Sequence, residues 1–114
     1  AQENILGNIL VDSRLIRSAP CFALRVTGNS MKDAQINAGD IVIVRQQPLA
    51  QHNDIVVAQI DGEATVKRLY LQDSVIELRP ENTRYRPIRI TPENDLRILG
   101  KVVAVQRPKN PPLD

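Results

Sequence analysis

The chain has 114 residues, of which 42% are hydrophobic and 3% are aromatic. This size and hydrophobicity fit one globular domain with a single core of Val, Ile, Leu and Ala, and they exclude an intrinsically disordered chain. The formal net charge of +2 comes without a long basic run, so the composition does not predict nucleic-acid binding. A single cysteine excludes an internal disulfide, and no apolar run has the length of a membrane span, so we expect a cytoplasmic location.

The first 20 residues show no clear hydrophobic period. Their apolar residues could form a short strand or an arm laid on a neighbouring element; these are Ile5, Leu6, Ile9, Leu10 and Val11. The tail at 108–114 contains three prolines, so we expect it to be frayed. The sequence therefore predicts an arm over residues 1–20, a domain over residues 21–107 and a frayed tail over residues 108–114.

The rest of the chain predicts short strands separated by turns. Strands are predicted at residues 21–26, 41–44, 54–60, 63–69, 75–78, 88–90 and 96–105. Asp61-Gly62 is the strongest hairpin signal, because these residue types tolerate the positive φ angles of a two-residue turn. Residues 30–36 predict one or two helical turns. The pattern predicts an all-β fold, a partly open small barrel of short, mostly antiparallel strands with one short helical turn.

Ser30 lies where the first strong strand gives way to the helical turns. A serine in such a bend can present its hydroxyl with unpaired backbone N–H groups beside it, which suits a nucleophile with an oxyanion hole. Serine is also a common helix N-cap, and the local sequence by itself favours that ordinary role.

Lys67 and Arg68 are adjacent in a predicted strand, so they point to opposite faces of the sheet. At least one of the two cations therefore stands among apolar neighbours. The ordinary explanation is snorkelling, in which the stem is buried and the charge reaches water. Desolvation instead favours a neutral lysine amine, which can accept a serine proton, whereas arginine stays charged. Lys67 is thus a candidate general base for Ser30, 37 residues earlier.

Other catalytic and binding systems have less support. His52 lies in a polar loop that a Ser/His/Asp triad would have to reach, and Cys21 opens a strand, where we expect it to pack as a small apolar residue. One cysteine and one histidine cannot supply an ordinary zinc site, and five scattered glycines form no phosphate-binding loop. We therefore expect no metal and no cofactor.

Several motifs resemble the C-terminal domain of the LexA family, which includes UmuD and the phage repressors. Gly28-Asn29-Ser30-Met31 resembles the family's Gly-x-Ser-Met nucleophile motif, and Ala38-Gly39-Asp40 stands where the family usually has Asp-Gly-Asp. Residues 61–69 (DGEATVKRL) resemble the hairpin that carries the family lysine, with the same spacing from the serine. Residues 11–15 and 77–82 resemble LexA more than UmuD. The similarity covers roughly residues 9–105.

The resemblance implies a Ser–Lys peptidase that cuts its own chain. Ser30 would be the nucleophile, Lys67 the general base, and the backbone N–H groups of Asn29 and Ser30 the oxyanion hole. In the family the scissile Ala-Gly or Cys-Gly bond lies in a linker ahead of this domain, whereas Ala38-Gly39 lies in a predicted turn. We therefore expect residue 1 to follow the cut by a few positions, so that the chain is a self-cleavage product or a piece without the linker and the DNA-binding domain.

The resemblance also implies partners. A homodimer would have the C-terminal strand near its interface, at Val102, Val103, Ala104, Val105, Gln106 and Arg107, although a plain edge strand is the ordinary interpretation. The RecA–single-stranded DNA filament would stimulate cleavage in the SOS response to DNA damage. Operator DNA would be bound only by an N-terminal domain absent here, and no membrane is implied.

Three alternatives remain open at this point. The domain could belong to a UmuD-like accessory subunit of a translesion DNA polymerase, or to a phage repressor. It could also be a catalytically idle dimerisation module, in which Ser30 caps a helix and Lys67 snorkels.

Overall fold

The computed structural model of the chain describes residues 3–7 and 20–108. The eight strands of this part are β1 (Glu3–Gly7), β2 (Cys21–Val26), β3 (Ile41–Gln46), β4 (Ile55–Ile60), β5 (Glu63–Gln72), β6 (Val75–Arg79), β7 (Ile88–Arg89) and β8 (Leu96–Gln106). The all-β prediction is confirmed. The predicted apolar positions Ile9, Leu10 and Val11 and most of the predicted tail lie outside the described residues, and the division into arm, domain and tail stays a prediction.

The strands form one antiparallel sheet in the order β1-β2-β3-β8-β4-β5-β6-β7. The sheet curls, since β1 also approaches β5, and this curvature fits the predicted partly open barrel. Register shifts interrupt the pairing of β8 with both β3 and β4, and such bulges bend a strand and increase its twist. Gly100 allows the close approach there, because a Cβ atom at this position would lie 2.4 Å from the Arg45 carbonyl oxygen.

The connections between strands follow the local sequence. Asp61 and Gly62 both have positive φ angles, of 50° and 91°, so the predicted two-residue turn between β4 and β5 is confirmed. The predicted helical turns shrink to a 3₁₀ helix over Lys32–Ala34. It ends because Gln35 adopts a left-handed conformation, with φ of 64°.

The main core lies under β2, β3 and the loop that follows β2. Its fully buried members are all apolar: Leu24, Val26, Met31, Ile36, Val42, Val44, Val57 and Val66. Met31 and Ile36 belong to the loop itself, and burying a side chain of this size stabilises the fold by roughly 1.5–3 kcal/mol. The residue after Ser30 therefore anchors the loop in the core and fixes where Ser30 can lie.

The C-terminal strand is not a plain edge strand, because β8 lies between β3 and β4. β4 pairs with the first half of β8, up to Lys101, and β3 pairs with the second half, from Gly100 to Gln106. Within the described part of the chain, the side of β8 away from β3 is therefore unpaired from Val102 onward. The edge interpretation is wrong for the strand as a whole and holds only for this half.

Candidate active site

Ser30 and Lys67 meet in the interior of the domain. The Nζ atom of Lys67 donates a hydrogen bond to the Ser30 hydroxyl oxygen, at 3.1 Å. Ser30 is only 4% exposed and Lys67 only 3% exposed. A chain separation of 37 residues is thus closed by the fold into a direct contact between a hydroxyl and an amine.

This geometry contradicts both ordinary explanations of the two residues. Met31, not Ser30, is the N-cap of the 3₁₀ helix, and no side-chain hydrogen bond caps that helix. The buried position of Lys67 does not allow its amine to snorkel into water. A capping role therefore does not explain Ser30, and snorkelling does not explain Lys67.

The alternation of β5 explains how the lysine is presented. Lys67 and Thr65 lie on the same face of the strand, and Lys67 Nζ also donates a hydrogen bond to the Thr65 hydroxyl. Arg68 lies on the other face and is partly exposed, and it donates to the Glu81 carboxylate at 2.8 Å. The prediction that the two cations point to opposite faces is confirmed.

The buried surroundings of Lys67 determine what its amine can do. Two neutral hydroxyl groups, those of Ser30 and Thr65, lie within hydrogen-bonding distance of Nζ. Removal from water disfavours the charged form of a lysine. A neutral amine against a serine hydroxyl is an arrangement that can take up a proton from a nucleophile.

The backbone around Ser30 leaves two donors open. Across residues 3–7 and 20–108, the N–H groups of Asn29 and Ser30 donate to no acceptor. The carbonyl groups of the same two residues are held instead. Asn82 Nδ2 donates to the Asn29 oxygen at 2.8 Å, and the Glu81 N–H donates to the Ser30 oxygen at 2.8 Å. The loop thus offers a pair of unused N–H groups beside the hydroxyl.

The Ala38-Gly39 bond lies in a tight turn, as the sequence predicts. Gly39 has a φ of 91°, and its N–H donates to the Val26 carbonyl at 2.7 Å. Asp40 is buried, and its carboxylate accepts a hydrogen bond from the Asn37 N–H at 2.9 Å. This peptide bond is thus part of the turn that joins the end of β2 to the start of β3.

The other sequence candidates have structural roles. His52 Nδ1 accepts a hydrogen bond from the Leu71 N–H at 3.1 Å, and its ring packs edge-on against Tyr70. Cys21 is buried, and burial raises the pKa of its thiol, which fits packing as a small apolar residue. In the described ranges no group of three or more His, Cys, Asp or Glu side chains could hold a metal ion, and no helix there could cross a membrane.

The predicted interface residues divide into two sets. Val102, Val103 and Ala104 are partly buried and pack against the core clusters, whereas Val105, Gln106 and Arg107 are exposed. Arg107 forms an ion pair with Asp40, with Nε 3.6 Å from Oδ1. The role of the six residues in a dimer stays a prediction.

The sequence matches the peptidase S24-like family over residues 1–103. The chain belongs to the peptidase S24-like family. Its similar proteins include the LexA repressor of Magnetococcus marinus, which is 60% identical over 106 residues that cover 93% of this chain and 46% of that protein. The LexA repressor of Oleidesulfovibrio alaskensis is 56% identical over 107 residues, which cover 94% of this chain and 52% of the relative.

A third relative is LexA repressor 1 of Geobacter sulfurreducens, which is 48% identical over 109 residues. That match covers 95% of this chain and 54% of the relative, so the chain spans about half the length of these relatives. The resemblance to LexA that the motifs indicated is confirmed.

Sequence reasoning missed three residues of this S24-like site as contact residues. Strand alternation places Thr65 on the same face as Lys67 but does not predict the hydrogen bond between them. Glu81 and Asn82 belong only to the segment 77–82 that resembles LexA, which predicts no contact for either. A hydrogen bond between Asn82 and Asn29, which are 53 residues apart, leaves no local signal in the sequence.

Proposed function

We propose that this chain is the C-terminal self-cleavage and dimerisation domain of a LexA-like repressor. Ser30 and Lys67 would hydrolyse a peptide bond in a linker N-terminal to residue 1. The observation that carries the proposal is the buried contact of 3.1 Å between the Ser30 hydroxyl and the Lys67 amine. Membership of a peptidase family and similarity to LexA repressors support it.

The proposed reaction begins with proton transfer. Neutral Lys67 takes the proton from Ser30 Oγ while the oxygen attacks the carbonyl carbon of the linker bond. The resulting ammonium returns that proton to the nitrogen of the leaving amine, and the C–N bond breaks. Water then hydrolyses the ester on Ser30, with Lys67 acting as base a second time, and both the acid product and the free hydroxyl are released.

The oxyanion of the tetrahedral intermediate needs donors that are already in place. We assign this role to the open N–H groups of Asn29 and Ser30. In other hydrolases, removal of one such donor lowers the rate by roughly 10²–10³-fold.

The linker must reach the dyad, and we propose that it approaches through a cavity beside Thr65. This cavity, of about 400 Å³, is lined by Thr65, whose hydroxyl accepts a hydrogen bond from the Lys67 amine. The other lining residues come from β5, the end of β4, the turn between them, β7 and the loop before β8: Ile60, Asp61, Glu63, Ala64, Ile88 and Asn94. We propose that the linker occupies this cavity before it is cut.

The proposed assembly follows the LexA pattern. Two copies would associate through residues 102–107 of β8, where one side of the strand is unpaired in the described region and Val105 is 42% exposed. A RecA–single-stranded DNA filament would stimulate cleavage by favouring the state in which the linker is docked. Operator DNA would be bound by the N-terminal part of the full protein. Relatives named LexA repressor favour this assignment over a UmuD-like subunit or a phage repressor.

The test uses the full-length protein, including the residues that precede residue 1. It is incubated between about pH 7 and pH 10, and the fragments are measured by gel and by mass spectrometry. Cleavage should speed up with pH, because a larger fraction of the lysine is neutral at higher pH. The variants S30A and K67A should each abolish cleavage while the domain stays folded.

Matched controls come from the same chain. Ser74 is an exposed serine in the turn between β5 and β6, and Lys101 is a partly exposed lysine paired with Asp54. S74A and K101A should cleave at the rate of the unchanged protein. Persistent self-cleavage in S30A would contradict the proposal.

A further inference from the structure

The hydrogen bonds of Asn82 reach the backbone that carries the proposed nucleophile. Building on the proposed function, we propose that Asn82 is a positioning residue that holds the Asn29–Ser30 peptide so that its N–H faces the oxyanion. Asn82 is 7% exposed, and its Nδ2 atom donates to the Asn29 carbonyl oxygen at 2.8 Å. Within the described residues its side chain is hydrogen-bonded to the Asn29 carbonyl and the Arg84 N–H and not to the side chains of Ser30 and Lys67, so we infer that its effect passes through the backbone.

The geometry of the peptide bond links this contact to the oxyanion hole. The Asn29 carbonyl and the Ser30 N–H belong to one planar trans peptide, so they point in opposite directions. Fixing the carbonyl oxygen toward Asn82 therefore fixes the Ser30 N–H away from it. That N–H is one of the two donors that have no acceptor in the described structure.

The orientation of the Asn82 amide is itself determined by its neighbours. Its Oδ1 atom accepts a hydrogen bond from the Arg84 N–H at 3.0 Å, while Nδ2 donates to a carbonyl. Exchanging the two ends of the amide would set a carbonyl against a carbonyl and an N–H against an N–H. The donor can therefore face only Asn29.

A second set of bonds holds the segment that carries Asn82. The Glu81 N–H donates to the Ser30 oxygen, and the Glu81 carbonyl accepts from the Asp33 N–H at 2.8 Å. The Glu81 carboxylate accepts from Arg68, and Arg68 Nη1 donates to the Asn53 carbonyl at 2.9 Å. The Glu81–Asn82 segment thus joins the serine loop to the strand that carries the lysine.

This role differs from that of a buried asparagine that only satisfies its own hydrogen bonds. A structural asparagine supports the fold, so its loss lowers the temperature of unfolding and leaves the chemistry of the folded fraction unchanged. A positioning asparagine acts on the rate of the folded protein. It should leave the pH dependence set by Lys67 in place.

The experiment measures first-order self-cleavage of the full-length protein as a function of pH. In N82A, which carries no new charge, the plateau rate should fall at least about tenfold, up to the roughly 10²–10³-fold that loss of an oxyanion donor costs. The pH midpoint of the rate should stay where it is in the unchanged protein. T83A is the matched control, since Thr83 is exposed in the same loop, and it should cleave normally.

Two further variants make the test specific to the donor. N82D keeps the acceptor for the Arg84 N–H but replaces the donor to Asn29 by an oxygen, so its plateau rate should fall as far as that of N82A. N82Q keeps the amide one methylene farther out and should recover part of the rate. Thermal unfolding of each variant in the S30A background gives the folded fraction. If N82A or N82D does not fold, the rate of N82Q carries the test.

The amide resonance of Ser30 gives a readout without cleavage. In the K67A protein it should shift when Asn82 is changed to Ala and should stay in place in T83A. An unchanged plateau rate, or a loss of rate explained entirely by unfolding or by a shifted midpoint, would overturn the positioning role. Cleavage that survives S30A or K67A would instead overturn the proposed function itself.

Discussion

β5 and the turn before it carry two polar clusters that differ in their exposure to water. In the middle of β5, the Lys67 amine donates to the hydroxyls of Ser30 and Thr65, and all three residues are buried. In the turn, the exposed Asp61 carboxylate accepts from the Asp95 N–H at 2.9 Å and from the Asn94 side chain at 3.0 Å. Both clusters are held by hydrogen bonds, but only one of them is shielded from water.

That difference decides what each cluster can do. Water screens and competes with the exposed bonds at Asp61, so they hold a turn and contribute little free energy. Inside the domain, the same kinds of bond act out of contact with water, where burial disfavours a charged amine, and this is the condition that the proposed general base requires. Substitutions in the buried cluster should therefore change the cleavage rate strongly. Substitutions at the turn should change the free energy of unfolding only slightly.

The largest expected effect follows from replacing the buried amine by a group that cannot lose its proton. K67R keeps a long cationic side chain, but arginine stays charged at every pH in use. Cleavage should fall by about 10²–10⁴-fold, the usual contribution of a general base, and raising the pH should not restore it. The measurement is the self-cleavage rate of full-length protein from about pH 7 to pH 10.

The matched control is K101R, the same exchange at a partly exposed lysine of β8. Its side chain pairs with Asp54 rather than with the dyad, so cleavage should stay close to that of the unchanged protein. A K67R protein that recovers its rate at high pH would show that the base is another group.

A smaller effect is expected from the second hydroxyl of the buried cluster. T65V has nearly the same shape as the unchanged residue but removes the oxygen that accepts from Lys67 Nζ. A hydrogen bond of this kind contributes about 0.5–1.5 kcal/mol, so cleavage should slow by about two- to tenfold through poorer orientation of the amine. The same rate measurement checks it, with T83V, the same exchange at an exposed threonine, as the control. A rate unchanged in T65V would show that the Thr65 hydroxyl does not orient the lysine.

The strands of this fold could be predicted because their signals are local. Runs such as 41–44 are apolar throughout, and Asp61-Gly62 marks a turn by residue type alone. The place of β8 between β3 and β4 could not be predicted, because the order of strands depends on pairings between distant segments. The predicted length of the helical turns is also wrong, because the left-handed conformation of Gln35, which ends the helix, has no clear sequence signal.

The candidate site shows the same division. Ser30 and Lys67 could be selected because a motif, a spacing and a difference between lysine and arginine all indicated them. Alternation along β5 could place Thr65 on the lysine face but could not give its bond to the amine. Asn82 could not be assigned a contact, because a turn asparagine is ordinary and its partner Asn29 becomes a neighbour only in the folded chain.

The smallest expected effect lies at the exposed turn. The Asp95 N–H and the Asn94 side chain hold the pKa of the Asp61 carboxyl below its ordinary value of 3.8. A carboxyl whose pKa is lower in the folded state stabilises the protein above its unfolded pKa, and this stabilisation is lost as the pH falls through the folded pKa. D61N keeps the shape and tolerates the positive φ angle, but it cannot titrate.

Urea unfolding at pH 7 and near pH 3 measures this effect, with S30A as the background of both proteins so that neither is cut. D61N should be slightly less stable at pH 7, and the gap between it and the S30A parent should narrow at the lower pH. The shift should be small because the carboxylate is exposed to water and screened by it. A gap that widens on acidification would mean that the bonds at the turn do not favour the ionised carboxylate of Asp61. The comparison between the two clusters would then lose its exposed half, and only the effects at the buried cluster would support it.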